Sequence, residues 1–261
     1  MKILIFIPHM GLGGVERSFI NLSKEFRRGG HNVKFVSLND IKSTYNEDIK
    51  HIKLNSKRTV FSINKLSKIF NYESPDLIIS AQYYANIIAV ISNKISKNKA
   101  KIIISERNHL SSELKKLNYF KRLIISSLIK FLYRKADLIY GNSDEVCNDL
   151  KKNFNLKIKI KKILNPSFTE NIDRLSKEKV HDEWITKANV PLLAYVGRLE
   201  PQKDIDTLLK SFEILNNHHD SKLLIIGDGS EKEKLFKCTN DIKAKIKPVS
   251  YTHLTLPTIG C

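Results

Sequence analysis

The stretch KILIFIPHMGLGGVERSFINL, Lys2 to Leu22, sets the fold class. Its apolar run up to Ile7 reads as a strand, which passes through a glycine-rich turn into a helix from Gly14 to Arg28. A strand, a glycine turn and a helix form the opening unit of a βαβ arrangement around a parallel sheet. The same alternation repeats outward from it. Further strands are expected at Asn32 to Ser37, Asp76 to Ser80, Lys101 to Ser105, Asp137 to Tyr140 and Lys157 to Ile163. Helices are expected at Ser62 to Tyr72, Tyr84 to Ser96, Ser112 to Lys135 and Asp144 to Asn153. The expected fold is α/β, built of Rossmann-like units.

A polar segment, Asn165 to Pro191, interrupts the pattern and reads as a linker with the lead-in to a second domain. The alternation then restarts with a strand at Leu192 to Val196, a helix at Asp204 to Asn216, a strand at Lys222 to Ile226 and a helix from near Ser230. Only two strands of that second sheet are evident, so the second domain is expected to be incomplete. The organisation expected is a first domain over residues 1–164, a linker over 165–190, a partial second domain over 191–248 and a non-native tail over 249–261.

The 261 residues are 41% hydrophobic and 28% charged, which excludes disordered, collagen-like and disulfide-scaffold classes. The net charge is +18, and all of it falls within residues 1–164; the remainder has equal numbers of acidic and basic side chains. Such an excess suits nucleic acid, anionic lipid or phosphorylated substrates, or else a solvated basic surface. Only 9 of the 45 basic residues are Arg, there is a single Trp, and no nucleic-acid motif is recognisable, so nucleic acid is not an expected partner. The three cysteines are too few and too irregular for a zinc site or a disulfide framework. No stretch approaches the roughly 20 apolar residues that span a bilayer. A cytosolic chain, or one lying on a membrane, is expected.

Four loops carry candidate chemistry. In GLGGVER, glycines at a strand–helix turn let backbone N–H groups approach a phosphate or sugar. A dinucleotide fingerprint would need glycine where Glu16 stands, so a nicotinamide reading fails there. A tight structural turn remains the plain alternative. Next, SERNH places Glu106, Arg107, Asn108 and His109 on a loop at a strand C-terminus, where ligands of open α/β sheets bind; a solvated loop histidine is the plain alternative for His109. In VGRLEPQKD, Gly197 allows close approach, while Arg198 and Lys203 suit a diphosphate, Arg as a planar fork and Lys as a point charge. Gly227, Asp228 and Gly229 form a second such turn, and facing glycine-bearing turns imply a ligand cleft.

Together, GGVER, SERNH, NSDEVCNDL, ILNPS, VGRLEPQKDIDTLL and LLIIGDGSEKEKL resemble a family 4 glycosyltransferase of the two-domain GT-B fold. The resemblance spans Met1 to about Leu235. It implies transfer of a sugar from a nucleotide-sugar donor, with retention and without an essential metal or other cofactor. The donor would bind mainly in the second domain and the acceptor in the first. Gly13 and Gly14 match the loop that approaches the donor phosphates, with Glu16 and Arg17 beside it on the acceptor side, where Glu106, Arg107 and Asn108 also fall. His109 matches the position facing the donor sugar, and Arg198 with Lys203 match the pair that stabilises the leaving diphosphate. Asp204 stands where the family often has Gly. The family's Glu, seven residues, Glu motif is absent, and the chain as given is expected to be inactive.

The resemblance implies a hexose or N-acetylhexosamine transferred to a polyprenyl-diphosphate-linked glycan, in surface polysaccharide or lipid-linked oligosaccharide assembly. A non-catalytic α/β protein that binds a phosphate ligand is the alternative. Lys115 to Asp137 interleaves basic and apolar residues at helical spacing. Either it packs on the core with a solvated basic side, or it docks the first domain on the anionic inner face of the cytoplasmic membrane.

Overall fold

The computed structural model describes residues 1–11, 13–40, 49–56, 59–156, 159–166, 170–236 and 244–249. The chain divides into two compact units, with the boundary between Ile172 and Asp173.

The first unit is a seven-stranded sheet. Its strands are β1 (Lys2–Met10), β2 (Asn32–Asp40), β3 (His51–Lys53), β4 (Leu77–Ala81), β5 (Lys101–Glu106), β6 (Leu138–Gly141) and β7 (Ile160–Lys162). They lie in the order β3-β2-β1-β4-β5-β6-β7, and every pairing is parallel. The uninterrupted apolar run of β1 follows from burial on both faces. Leu4 and Phe6 enter one core cluster, while Ile3, Ile5 and Ile7 enter the other, and all five are at most 2% exposed. Each such burial is worth about 1.5–3 kcal/mol relative to exposure. The strand order reverses beside β1, and the carboxyl ends of the strands there form the crevice where open α/β sheets bind ligands.

The helices of this unit are α1 (Gly14–Arg28), α2 (Ile63–Glu73), α3 (Tyr83–Ile95), α4 (Leu110–Lys115), α5 (Tyr119–Leu132) and α6 (Asp144–Phe154). The single helix expected over Ser112 to Lys135 is two helices. Asn118 caps α5 by accepting the Lys121 N–H at 2.9 Å, which starts a new helix instead of continuing the old one. The short strand β3 was not expected, since three residues show no period. Gly141 ends β6 where a Cβ would stand 2.9 Å from both Val146 and Cys147, so α6 packs directly on the strand end.

The second unit contains α7 (Glu170–Ser176), which begins just before the boundary, α8 (Glu183–Thr186), β8 (Leu192–Val196), α9 (Ile205–Asn216), β9 (Lys222–Ile226) and β10 (Ile246–Val249). Its sheet has the order β10-β9-β8, again parallel. A third strand therefore stands where only two were expected. Polar residues and Pro248 had masked its pattern, and Val249, assigned to the tail, pairs with Ile226. Residues 250–261 of that tail lie outside the described residues. The segment from Lys232 to Phe236 is a 3-10 helix where an α-helix was expected. Leu199, Ile205, Phe212, Leu223 and Ile225 form the core.

Candidate functional site

In the first unit the site lies at the carboxyl ends of β1, β4 and β5. Gly13 caps α1 with extended backbone and Gly14 is its first residue. A Cβ on Gly14 would meet nothing within 4 Å, so packing does not demand this glycine. At Gly13 a Cβ would collide with the Glu16 carboxylate, which folds back over the turn. Arg17 donates its backbone N–H to the Gly13 carbonyl at 3.1 Å and is exposed in the first turn of α1.

The loop residues after β5 divide sharply. Glu106 was expected on the loop, but it is the last residue of β5 and 1% exposed. Its carboxyl accepts the Tyr133 hydroxyl and, at 2.8 Å, the Asn86 amide. Asn86 is held in turn by the Ser80 hydroxyl, which donates to its Oδ1 at 2.6 Å, and donates to the Ser105 carbonyl at 2.9 Å. Burial pushes the Glu106 carboxyl up to about 8 despite these hydrogen bonds, so it is protonated at neutral pH. Its surroundings make it a neutral structural hub. The sequence signal for a loop, the polar run SERNH, cannot reveal that the sheet extends one residue further.

Arg107 is a clamp. Its guanidinium lies 4.9 Å from the Phe19 ring centroid and 5.4 Å from that of Tyr140. It donates to the Tyr140 hydroxyl at 3.1 Å, to Ser18 at 3.4 Å and to the Asn165 side chain. It thereby ties α1 and β6 to the segment leaving β7, and Asn21 adds a second tie by donating to the Pro166 carbonyl at 2.8 Å. Asn108 is exposed and donates to Glu113 at 3.3 Å.

His109 caps the start of α4, with 46% of its side chain exposed. The Ser111 and Ser112 hydroxyls stand 3.2 and 3.0 Å from its Nδ1, and the buried Asp149 carboxylate of α6 lies 3.7 Å away. Burial alone would raise the Asp149 carboxyl, but Ser111, Asn153 and His109 together hold it below the ordinary carboxylate range.

Sequence reasoning missed three features of this edge. Gln82, between β4 and α3, has φ 74°, a conformation that residues other than glycine rarely adopt and that concentrates at functional sites. Nothing in AQYYAN signals it. Next to it, burial and then Glu113 push the Tyr84 hydroxyl up to about 12, with a smaller contribution from Glu16. Buried polar atoms of His9, Ser105, Arg107 and Asn142 lack a partner among the described residues, and all belong to residues at or just past the carboxyl ends of β1, β5 and β6. Polar capacity left over at the ends of several strands suits a ligand-binding edge.

In the second unit, Arg198 and Lys203 follow β8 and are both exposed. Neither forms an ion pair among the described residues. Lys203 ends the short 3-10 helix Pro201–Lys203, and Asp204 then adopts φ 51° to start α9. That left-handed backbone is one that glycine adopts without strain and other residues rarely do. Here the Asp204 side chain compensates by accepting the Thr207 N–H and hydroxyl at 3.3 and 2.8 Å. Gly227 and Gly229 have a packing reason: a Cβ on them would lie 2.0 Å from the Gly197 carbonyl oxygen and 2.3 Å from the Leu199 carbonyl oxygen. They let the turns after β8 and β9 pack backbone to backbone. Gly197 would press only on the movable Tyr195 ring. Asp228 accepts the Gly229 N–H at 2.9 Å and pairs with Lys232. Among the described residues, no three His, Cys, Asp or Glu side chains are placed to share a metal ion.

Known proteins share this plan. The pattern of Glycosyltransferase Family 4 matches residues 12–167, and that of Glycosyl transferases group 1 matches residues 176–247. An uncharacterized glycosyltransferase of Methanocaldococcus jannaschii, MJ1059, is 30% identical over 68% of the chain, which spans 45% of that relative's length. The N-acetylgalactosamine-N,N'-diacetylbacillosaminyl-diphospho-undecaprenol 4-alpha-N-acetylgalactosaminyltransferase of Campylobacter jejuni is 28% identical over 94% of the chain and 68% of its own length. Among solved structures, Anabaena Alr3699/HepE in complex with UDP superposes with a TM-score of 0.71 at 16% identity, covering 96% of this chain and 69% of that one. Its likeness supports the GT-B type of fold.

Proposed function

The chain belongs to glycosyltransferase family 4, and we propose that it moves a hexose or N-acetylhexosamine from a nucleotide-sugar to a polyprenyl-diphosphate-linked glycan, with retention of anomeric configuration. The observation that carries the reading is the pair Arg198 and Lys203, two exposed cations without ion-pair partners among the described residues, on the turn after β8. Departure of a nucleoside diphosphate builds negative charge, and fixed cations offset it in the transition state without a metal. UDP bound to the Anabaena neighbour and the diphospho-undecaprenol acceptor of the Campylobacter relative support the donor and acceptor classes.

In the first unit, Gly13 and Gly14 leave room for backbone approach to the donor, and His109 faces the sugar with its ring held by Ser111, Ser112 and Asp149. Glu16, Arg17 and Asn108 fall on the acceptor side. Glu106 and Arg107 act there indirectly, by holding the strand end and α1 in place. The unit works on the inner face of the cytoplasmic membrane, docked through α5. Among the described residues no helix is long and apolar enough to cross a membrane.

The test is incubation of a form of the protein that carries the Glu, seven residues, Glu motif, rather than the chain as given, with a panel of nucleotide-sugars and a polyprenyl-diphosphate-linked glycan. Release of nucleoside diphosphate with an axial product linkage from an axial donor is expected. An inverted linkage removes the retaining mechanism, and absence of nucleotide-sugar binding removes the reading as a whole.

A further inference from the structure

Asp149 sits on α6 with its side chain fully buried, beside the loop that carries His109. Its Oδ2 accepts the Ser111 backbone N–H at 2.9 Å, and its Oδ1 accepts the Asn153 amide at 2.6 Å. The Ser111 hydroxyl adds a third hydrogen bond to the same carboxylate. His109 Nδ1 lies 3.7 Å from Oδ2. The Ser111 N–H alone would be satisfied by the amide oxygen of an asparagine, without the cost of burying a charge. A buried carboxylate calls for a partner of opposite sign, and the group able to carry that charge which faces it is His109.

The chemistry of these groups fixes the direction of each proton. Burial pushes the Asp149 carboxyl up, but Ser111, Asn153 and His109 hold it below the ordinary carboxylate range, so it is ionised at neutral pH and can only accept. The Ser111 hydroxyl has one proton, and the carboxylate takes it. Toward His109 Nδ1, 3.2 Å away, that oxygen therefore turns a lone pair. Nδ1 must then donate, and the Ser112 hydroxyl, 3.0 Å away, is a second acceptor for the same N–H. In a neutral imidazole, a proton on Nδ1 leaves a lone pair on Nε2. Nε2 has no partner among the described residues, and the His109 side chain is 46% exposed.

We propose that Asp149 is a positioning residue for His109: through Ser111 it keeps the imidazole proton on Nδ1 and presents Nε2 to the ligand as a hydrogen-bond acceptor for a sugar hydroxyl. The opposite tautomer would present a donor instead, and the hydroxyl would have to turn its proton away from the ring. Two elements build the relay, since α6 supplies Asp149 while the start of α4 supplies His109, Ser111 and Ser112. Ser111 gives both its backbone N–H and its hydroxyl to the one carboxylate, which locks the hydroxyl oxygen in place beside Nδ1. This inference rests on the proposed role of His109 toward the sugar and adds the group that sets the direction of its hydrogen bond.

Nitrogen-15 NMR of the imidazole rings tests it on the chain as given, without substrate. The protein has eight histidines, and His109→Gln identifies the His109 signals. At about pH 8.5, above the ordinary histidine range, wild-type His109 should show a protonated Nδ1 and an unprotonated Nε2. An unprotonated Nδ1 overturns the proposal, whatever the stability of any variant. Asp149→Asn keeps an oxygen for the Ser111 N–H but removes the charge, and should move the ring toward the Nε2-protonated form that free histidine prefers. Asn153→Ala takes a hydrogen bond from the same carboxylate without touching its charge, and should leave the tautomer as it is. A ring that stays Nδ1-protonated in D149N, or that shifts as far in N153A, reduces Asp149 to a cap of α4 and overturns its role. In a form that carries the Glu, seven residues, Glu motif, Asp149→Asn should lower kcat/KM about tenfold, the effect of one lost hydrogen bond to the ligand. Full kcat/KM beside an altered tautomer overturns the ligand contact. Absence of sugar transfer in the wild type of that form would instead strike the proposed reaction, since the tautomer is read independently of it.

Discussion

The turn after β5 and the turn after β8 have nearly the same polarity in sequence, yet the fold uses them in opposite ways. After β5, Glu106 and Arg107 are absorbed: one is a buried protonated carboxyl, the other a guanidinium packed between two aromatic rings. After β8, Arg198 and Lys203 stay exposed and form no ion pairs among the described residues, and the scaffolding is done by glycines. A charged side chain already engaged by the protein stabilises the fold, whereas an unengaged one is free to stabilise a ligand. The first turn keeps only His109 and Asn108 exposed; the second keeps both of its cations.

The largest effect that would break this contrast concerns the second turn. In a form of the protein that carries the Glu, seven residues, Glu motif, Arg198→Ala and Lys203→Ala should each lower turnover by roughly 10²–10³-fold, in the range for losing a group that meets transition-state charge, with little change in Tm. Steady-state release of nucleoside diphosphate beside a thermal melt measures both. A matching loss of stability would mean that these cations are structural, like Arg107.

Gly227→Ala should show the reverse pattern, destabilising by about 3 kcal/mol because its Cβ has only 2.0 Å to the Gly197 carbonyl oxygen. Denaturant unfolding checks it. A near-neutral change would mean that the two turns can part without cost.

A pH series sharpens the reading of Glu106. Its carboxyl is raised from 4.5 to about 8 in the folded protein. The folded state therefore binds one more proton than the unfolded state between those values, and stability falls as pH rises through that window. The slope is about 1.4 kcal/mol per pH unit from this group. Glu106→Gln keeps the acceptor for Tyr133 and Asn86 and should remove that slope, leaving a flatter Tm profile from pH 5 to 8. An unchanged profile would place the proton elsewhere.

The smallest expected effect on stability is that of Gly14→Ala, within about 0.5 kcal/mol, since the added methyl meets nothing. A rise in KM for the nucleotide-sugar without a fall in Tm would assign this glycine to the ligand. An unchanged KM would return it to an ordinary helix start.

The sequence by itself determined the parallel α/β class, because β1 and its neighbours are buried on both faces and must read as short apolar runs between amphipathic helices. It also determined where the chemistry would collect, since polar and glycine-rich residues follow strand ends in GGVER, SERNH and VGRLEPQK. Only the tertiary structure decided which of those side chains remain available. Glu106 is removed by one further residue of strand pairing with Gly141, Arg107 by the rings of Phe19 and Tyr140, and Gly227 by the carbonyl of a turn thirty residues earlier. These are contacts between segments far apart in the chain, and local periodicity carries no record of them. The same holds for α5. Its spacing of apolar and basic residues fitted a core-packing helix as well as a docking one, and only the tertiary structure shows that Ile129 and Leu132 are buried while Phe120, Ile124 and Phe131 stay exposed.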